Sequence, residues 1–253
     1  MQTNNENLTV RVQNLNSSIG ENQLLANIDF SLFTGEVVTL IGKNGTGKST
    51  LLRAIASLPK YDIQTVSGII EQKARTAFVH QQYRSSLFPW LNAFDNIMLP
   101  FKVNNSKKIK KSEVSDVLNS LGFLDQFDLH KYPYQLSGGQ CQMIAIARAF
   151  ITKAEVILLD EPFSALDYSM QTIAVEKIRN FAKEKNLTLL TVLHDIQLSV
   201  AISDRCLFLK GKPATLVTEK KIKRNKMLTP DFIRSDIFHE NVANVYQILG
   251  GGK

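Results

Sequence analysis

The 253-residue chain has no apolar run that approaches bilayer length: stretches such as Val156 to Leu159 are brief, against the roughly 20 residues a membrane-crossing helix needs. It is therefore not expected to form a pore by itself. Cysteine is equally sparse. Cys141 and Cys206 are the two present, far apart and in no CxxC or Cys/His spacing, so neither a disulfide framework nor a zinc site is expected. Both read as small apolar fillers. The opening MQTNNENLTV lacks a basic stretch followed by an apolar one, so no secretory signal is read there and an intracellular location is expected. Internal repeats and sustained heptads are also lacking, which removes solenoids and long coiled-coil arms.

What is present is ordinary globular material. With 44% hydrophobic and 21% charged residues, 13 Gly and 7 Pro, the chain fits one large α/β domain or a domain with a small appendage. The net charge of +7 would suit nucleic acid, an anionic membrane surface or an acidic partner. Much of that excess is local: Lys210 to Lys226 holds seven basic residues and one acid, and Lys107 to Lys111 forms a second run. A solvated charged face and a contact with headgroups or a partner both remain open for these runs. Interleaved aromatics of the kind that bind single-stranded nucleic acid are missing from them, and no nucleic-acid partner is expected.

Hydrophobic patterning sets the fold class. Residues 8–15 and 25–33 alternate apolar and polar, as half-buried strands of an antiparallel patch do. Val37 to Ile41 is continuously apolar, suited to burial on both faces of a parallel sheet. Residues 51–58 read as a helix closed by Pro59, and 68–79 as a short extended section. The segment 82–134 is polar and punctuated by Pro89, Pro100 and Pro133; it reads as a helical insertion that contains a helix over 112–121. Helices are then expected over 141–151 and 172–185, with buried strands at 156–159 and 188–193. Strand and helix alternate as in βαβ units around a mostly parallel sheet, an α/β fold.

Gly42 to Ser49 fits G-x-x-x-x-G-K-[ST], placed between a buried strand and a helix. Such a loop converges its backbone N–H groups on phosphates while the helix N-terminus adds a positive dipole. Gly42, Gly45 and Gly47 keep side chains out of the way, Lys48 reaches the β- and γ-phosphates, and Ser49 offers a hydroxyl to Mg²⁺. Val156 to Glu161 ends a second buried strand with two carboxylates. Asp160 is expected to hold Mg²⁺, directly or through water, and Glu161 to orient the attacking water.

The stretch Leu136-Ser-Gly-Gly-Gln140, together with GKNGTGKS, ILLDEP, SALD at Ser164 to Asp167 and His194, resembles the ATP-binding cassette family over roughly residues 8 to 210. The resemblance implies a phosphate-loop NTPase core with an N-terminal antiparallel β patch and a helical insertion. It implies ATP and Mg²⁺ as ligands, with Gly42, Asn44, Gly45, Thr46, Gly47, Lys48, Ser49 and Thr50 holding ATP and Ser49, Gln81 and Asp160 facing the metal. Glu161, His194 and Gln81 are implied as the catalytic group; Gln82 is adjacent to Gln81, and that assignment is open by one position. Two cassettes, identical or paired with a second kind, are implied to meet head to tail. Ser137, Gly138, Gly139 and Gln140 of one then close on the γ-phosphate of the other, and Asp167 faces the partner.

Three departures from the family pattern stand out. Where an aromatic usually stacks on adenine the chain has Ile19, with no Tyr, Phe or Trp between Met1 and Asp29. Cys141 and Met143 follow LSGGQ and are expected to alter packing at the dimer seam. His80 and YRSSLF lengthen the Gln81 loop.

The resemblance also implies partners. Integral permease subunits and an extracytoplasmic substrate-binding protein are expected, with the cassette peripheral on the cytoplasmic face of the inner (plasma) membrane. The expected organisation is a cassette over 1–210, with a helical subdomain over roughly 82–150, and a basic extension or cap over 211–253. Phe88-Pro89-Trp90-Leu91, FDNIMLP and YPYQLSGGQ resemble the nitrate, sulfonate and taurine import group. LTPDFIRSDIF, GIIEQKARTAFVHQ and LHDIQLS resemble cassettes for metal ions or chelates, and a free cassette ATPase acting on DNA or ribosomes is the reading from another class. Trp90 and its apolar neighbours are expected either in the core of the insertion or on a groove wall for a short permease helix.

Overall fold

The computed structural model describes residues 7–58, 64–103, 110–224 and 227–250. The described strands are β1 (Leu8–Ile19), β2 (Asn22–Phe33), β3 (Val37–Ile41), β4 (Gln64–Gln72), β5 (Thr76–Val79), β6 (Val156–Asp160), β7 (Thr188–Val192), β8 (Arg205–Gly211) and β9 (Ala214–Lys221). They form one sheet in the order β4-β1-β2-β9-β8-β3-β7-β6-β5. β3, β6 and β7 are buried along their whole length and pair in parallel with one another, as their unbroken apolar runs require. β1 pairs antiparallel with β2 and β4, which makes the patch expected from the alternating segments.

The extended section expected over 68–79 is two strands. β4 and β5 stand at opposite ends of the sheet order, yet residues 73–75 alone separate them. The sheet therefore curls until its two edges approach. Helix α1 (Lys48–Ile55) fills the inside of the curl, where Leu51, Leu52 and Ile55 pack on β1, β2, β3, β6 and β7. Pro59, expected to close that helix, lies outside the described residues.

The opposite face of the sheet carries the remaining helices: α2 (Tyr83–Ser86), α3 (Ala93–Val103), α4 (Lys111–Ser120), α5 (Gly138–Phe150), α6 (Tyr168–Glu184), α7 (Ile196–Ile202), α8 (Pro230–Ile233) and α9 (Asp236–Gly250). In the insertion, Ala93, Ile97, Val114, Leu118, Phe123 and Ile144 belong to the shared core. Trp90 does not: it is 68% exposed, T-shaped against Phe88 at 5.2 Å. Its loop is held from below by Asn96, fully buried, which accepts from Phe88 N and donates to Phe88 O, Leu91 O and Asn92 O.

The basic segment after Lys210 is woven into the sheet. β9 pairs antiparallel with β8 and touches β2 in parallel, so a division at 210/211 falls within the β8–β9 hairpin. Past β9, Arg224 turns inward. Its guanidinium donates to Val200 O (3.3 Å), Ser203 O (3.2 Å) and Ala201 O at the end of α7, and stacks 4.5 Å over the Phe232 ring. Burial pushes Arg224 down to about 9, so it is still a cation at neutral pH. Lys226 lies outside the described residues. Among the described residues no helix is long and apolar enough to cross a membrane.

Candidate nucleotide site

The loop after β3 folds as a cradle because its backbone adopts conformations that side chains resist. Gly47 sits at φ 79°, and a Cβ there would meet Leu25 Cδ2 at 2.9 Å, since β2 backs the loop. Thr46 Oγ1 donates to Lys43 O at 2.9 Å and closes the turn. Among the described residues no side chain caps the start of α1, which leaves its first amides open to a ligand. Lys48 Nζ donates to Gly42 O (2.8 Å) and Lys43 O (3.0 Å). Burial lowers its pKa, opposed by the carboxylates of Glu161 and Asp160.

The C-terminal ends of three adjacent parallel strands supply the polar groups opposite. Gln81 follows β5, Asp160 ends β6 with Glu161 next, and His194 follows β7. Ligand crevices of open α/β sheets lie at these ends. Glu161 accepts from Gln81 Nε2 on one carboxylate oxygen (2.8 Å) and meets His194 Nε2 with the other (2.6 Å). Its backbone is in the left-handed region at φ 50°, held by a bond from its N–H to Val192 O. Of the two candidate glutamines, Gln81 is the one the structure brings to Glu161, while Gln82 precedes α2. A cavity of about 110 Å³ adjoins the pair, lined in part by Glu161, Ser164, Gln171 and His194.

Asp160 is fully buried. One carboxylate oxygen accepts from Ser49 Oγ at 2.8 Å; the other, Oδ2, has no hydrogen-bond partner among the described residues. Desolvation raises its pKa, offset in part by the Ser49 bond and by Arg53. A buried, unpaired carboxylate oxygen next to a serine hydroxyl fits a divalent cation.

The LSGGQ residues lie elsewhere. Ser137 caps α5 by accepting from Gln140 N, and Gln140 Oε1 accepts in turn from Ser137 N, a reciprocal cap. Gln140 Nε2 donates to Gln126 O. Gly138 passes Tyr83 so closely that a Cβ would meet its hydroxyl at 2.8 Å. Among the described residues these bonds stay around the start of α5 and do not reach the phosphate loop of the same chain. Asp167 is exposed and caps α6 by accepting from Met170 N; the Ser169 hydroxyl, first, and that amide hold its carboxyl below the usual range.

One expectation changes, and one residue joins the site. Cys141 and Met143 are buried, so they pack within the chain and do not line an outer seam. Gln142 was not singled out from the sequence, yet it is fully buried and bridges α5 to the segment after β6. It donates to Glu161 O and Ser164 Oγ and accepts from Ala165 N. A glutamine in the apolar stretch CQMIAIA was the available signal, since a buried amide needs partners.

A phosphate loop between a buried strand and a helix, faced by carboxylates at the end of a neighbouring parallel strand, defines a phosphate-loop NTPase. A family model described as ABC transporter matches residues 25–164, more than half of the chain. This chain belongs to that family, as an ATP-binding cassette ATPase. Over 236 residues it is 36% identical to the aliphatic sulfonates import ATP-binding protein SsuB of Bacillus subtilis, covering 87% of this chain and 88% of that protein. It is 34% identical over 218 residues to the nitrate transport protein NasD of Klebsiella oxytoca, covering 82% and 80%. The dimeric post-hydrolysis state of the ATP-binding cassette MJ0796 bound to ADP and Pi shares its fold with TM-score 0.74 at 27% identity, covering 85% of this chain and all of that one. The α/β cassette fold expected from the sequence is the fold observed.

Proposed function

We propose that the chain is the ATP-hydrolysing subunit of a membrane importer, working as a head-to-tail pair of cassettes on separate permease subunits, with an oxyanion such as a sulfonate or nitrate as cargo. The observation that carries the hydrolytic part is Glu161, gripped by Gln81 on one oxygen and His194 on the other. A carboxylate held that way is aimed, and aim is most of what phosphoryl transfer asks of a protein. Glu161 orients a water toward the γ-phosphate and takes up its proton; His194 holds Glu161 through Nε2 and contacts the γ-phosphate. The amides of the loop and of α1, with Lys48, bind the β- and γ-phosphates, and Asn44, Thr46 and Thr50 complete the cradle.

Ser49, Asp160 and Gln81 would hold Mg²⁺, a cation that favours one or two carboxylates plus phosphate oxygens. Bound there, the metal neutralises charge on the phosphates. Ser137, Gly138 and Gly139 of a second copy cover the exposed side of the triphosphate, where their amides meet the γ-phosphate, and Asp167 faces that copy. The dimeric MJ0796 structure supports the pairing. Ile19 in place of an aromatic leaves affinity resting on the phosphates more than on the base.

Import and cargo rest on the relatives named for sulfonate import and nitrate transport. The exposed Trp90 and Phe88, on a helical subdomain over 82–150, form the docking face for a permease helix. In this reading the cassette sits peripherally on the cytoplasmic face of the inner membrane, with a substrate-binding protein serving the permease outside. The test is capture of tagged Glu161→Gln protein with ATP from detergent-solubilised membranes, with co-purifying chains read by mass spectrometry. Recovery of a multi-span membrane protein is expected. Ribosomal proteins or nucleic acid without such a chain would overturn the import reading.

A further inference from the structure

Helix α7 follows His194 directly, and at seven residues it is too short to hold its own position in water. Something else must fix the turn that presents the imidazole. Its N-terminus is capped by Asp195, which accepts from Leu198 N at 2.9 Å. Ser199 Oγ then donates to Asp195 O at 2.7 Å, and Ser203 Oγ, one turn on, donates to Ser199 O at 2.7 Å. Ser203 Oγ also bonds Thr39 Oγ1 of β3. Since the Ser203 proton is committed to Ser199 O, Thr39 is the donor in that pair. The three hydroxyls are buried, and each bond leads toward His194: Thr39 to the Ser203 hydroxyl, Ser203 to the Ser199 carbonyl, and the Ser199 hydroxyl to the Asp195 carbonyl.

We infer that Thr39, Ser203 and Ser199 are positioning residues, a buried hydroxyl line that locks the His194 turn to the strand carrying the phosphate loop. Thr39 stands three residues before Gly42, so the line joins the two halves of the site from behind. Each link is made in a low-dielectric interior, where a hydrogen bond is electrostatically stronger than in water and a donor left unpaired is costly. Back-bonding from serine to the i−4 carbonyl usually weakens and bends a helix. Its occurrence on successive turns here marks position as the gain. Arg224 bears on the same helix end through Ser203 O and keeps that end closed from the C-terminal side.

The inference rests on Glu161 and His194 as the hydrolytic pair, and the experiment separates the two. Steady-state ATPase rates of the full chain are measured for Ser199→Ala, Ser203→Ala, Thr39→Val and Thr39→Ser, each alone and with His194→Ala. Removing a hydroxyl is expected to lower kcat roughly tenfold, as a small misplacement of a catalytic group does, with KM for ATP changed by less than about twofold. Thr39→Ser, which keeps the hydroxyl, is expected to retain kcat. In the His194→Ala background Ser199→Ala is expected to cost nothing further, because residues acting through one another are not additive. Unchanged kcat in the alanine variants, or a loss that multiplies with that of His194→Ala, overturns the relay. Unchanged kcat in His194→Ala alone overturns the hydrolytic reading beneath it. Should Ser203→Ala fail to fold, Ser199→Ala and Thr39→Val decide the question.

Discussion

At the residue scale the site is built from groups held against their preference. Glu161 keeps a left-handed backbone that costs a non-glycine residue on the order of 1–3 kcal/mol, and Asp160 keeps a buried carboxylate with one oxygen unpaired. The pKa of Asp160 is raised in the folded chain, chiefly by burial. The sign follows: a folded-state value above the unfolded one means that the folded chain binds the proton more tightly. That contribution is full below the unfolded value of about 4 and is lost as pH rises through the folded value. Asp160→Asn is therefore expected to raise the melting temperature of the nucleotide-free protein by roughly 2–4 °C at neutral pH. The gap should narrow as pH falls through the raised folded value and be closed below about 4, where the group is neutral in both states. Hydrolysis should be lost at every pH. Scanning calorimetry across pH reads the first effect; a lower melting temperature for the variant at neutral pH would mean that Asp160 is not under strain.

The same scale shows which site residues a sequence reveals. Lys48, Ser49, Asp160 and Glu161 stand in contiguous motifs whose meaning is local, so spacing exposes them. Gln142 and Thr39 matter through partners brought near by folding, such as Ser203 for Thr39, and no local pattern records that.

Elements follow the same division. Strands β3, β6 and β7 were legible because burial on both faces demands an unbroken apolar run. The C-terminal β9 and α9 were not: lysines crowd β9 and the residues after it, and α9, which carries none, follows that basic run although the core takes in its Phe238 and Val245. Trp90 misleads in the opposite sense: an apolar cluster suggests interior, whereas only the sheet and helices decide which side of a loop faces out. The Trp90 loop keeps its shape through Asn96, whose amide makes four bonds to it. Asn96→Ala is expected to destabilise the chain by about 1–3 kcal/mol, the usual result of orphaning buried partners. Urea denaturation measures that loss, and hydrogen exchange should localise the loosening to residues 88–92. Equal stability would show that the loop is set by other contacts.

For the whole molecule the decisive question is pairing. Among the described residues the bonds of Ser137 to Gln140 do not reach the phosphate loop of their own chain, and in the proposed pair a second copy supplies them. Glu161→Gln should bind ATP and not turn it over, and light scattering should report a mass near twice that of one chain with ATP but not with ADP. Unimpaired turnover in that variant would remove Glu161 as the base.

The position of β3 has a consequence for how the protein comes into being. Both strands that flank it, β7 and β8, pair through Val37↔Leu189 and Val38↔Arg205, contacts that span most of the chain. A ribosome adding about 5–20 residues per second needs on the order of ten seconds between making the cradle and making its walls. Throughout that interval the nascent chain displays Gly42 to Ser49 without the sheet that shapes it. Nucleotide cannot stabilise the nascent protein until β8 has emerged, and the apolar β3 must be shielded from aggregation until then.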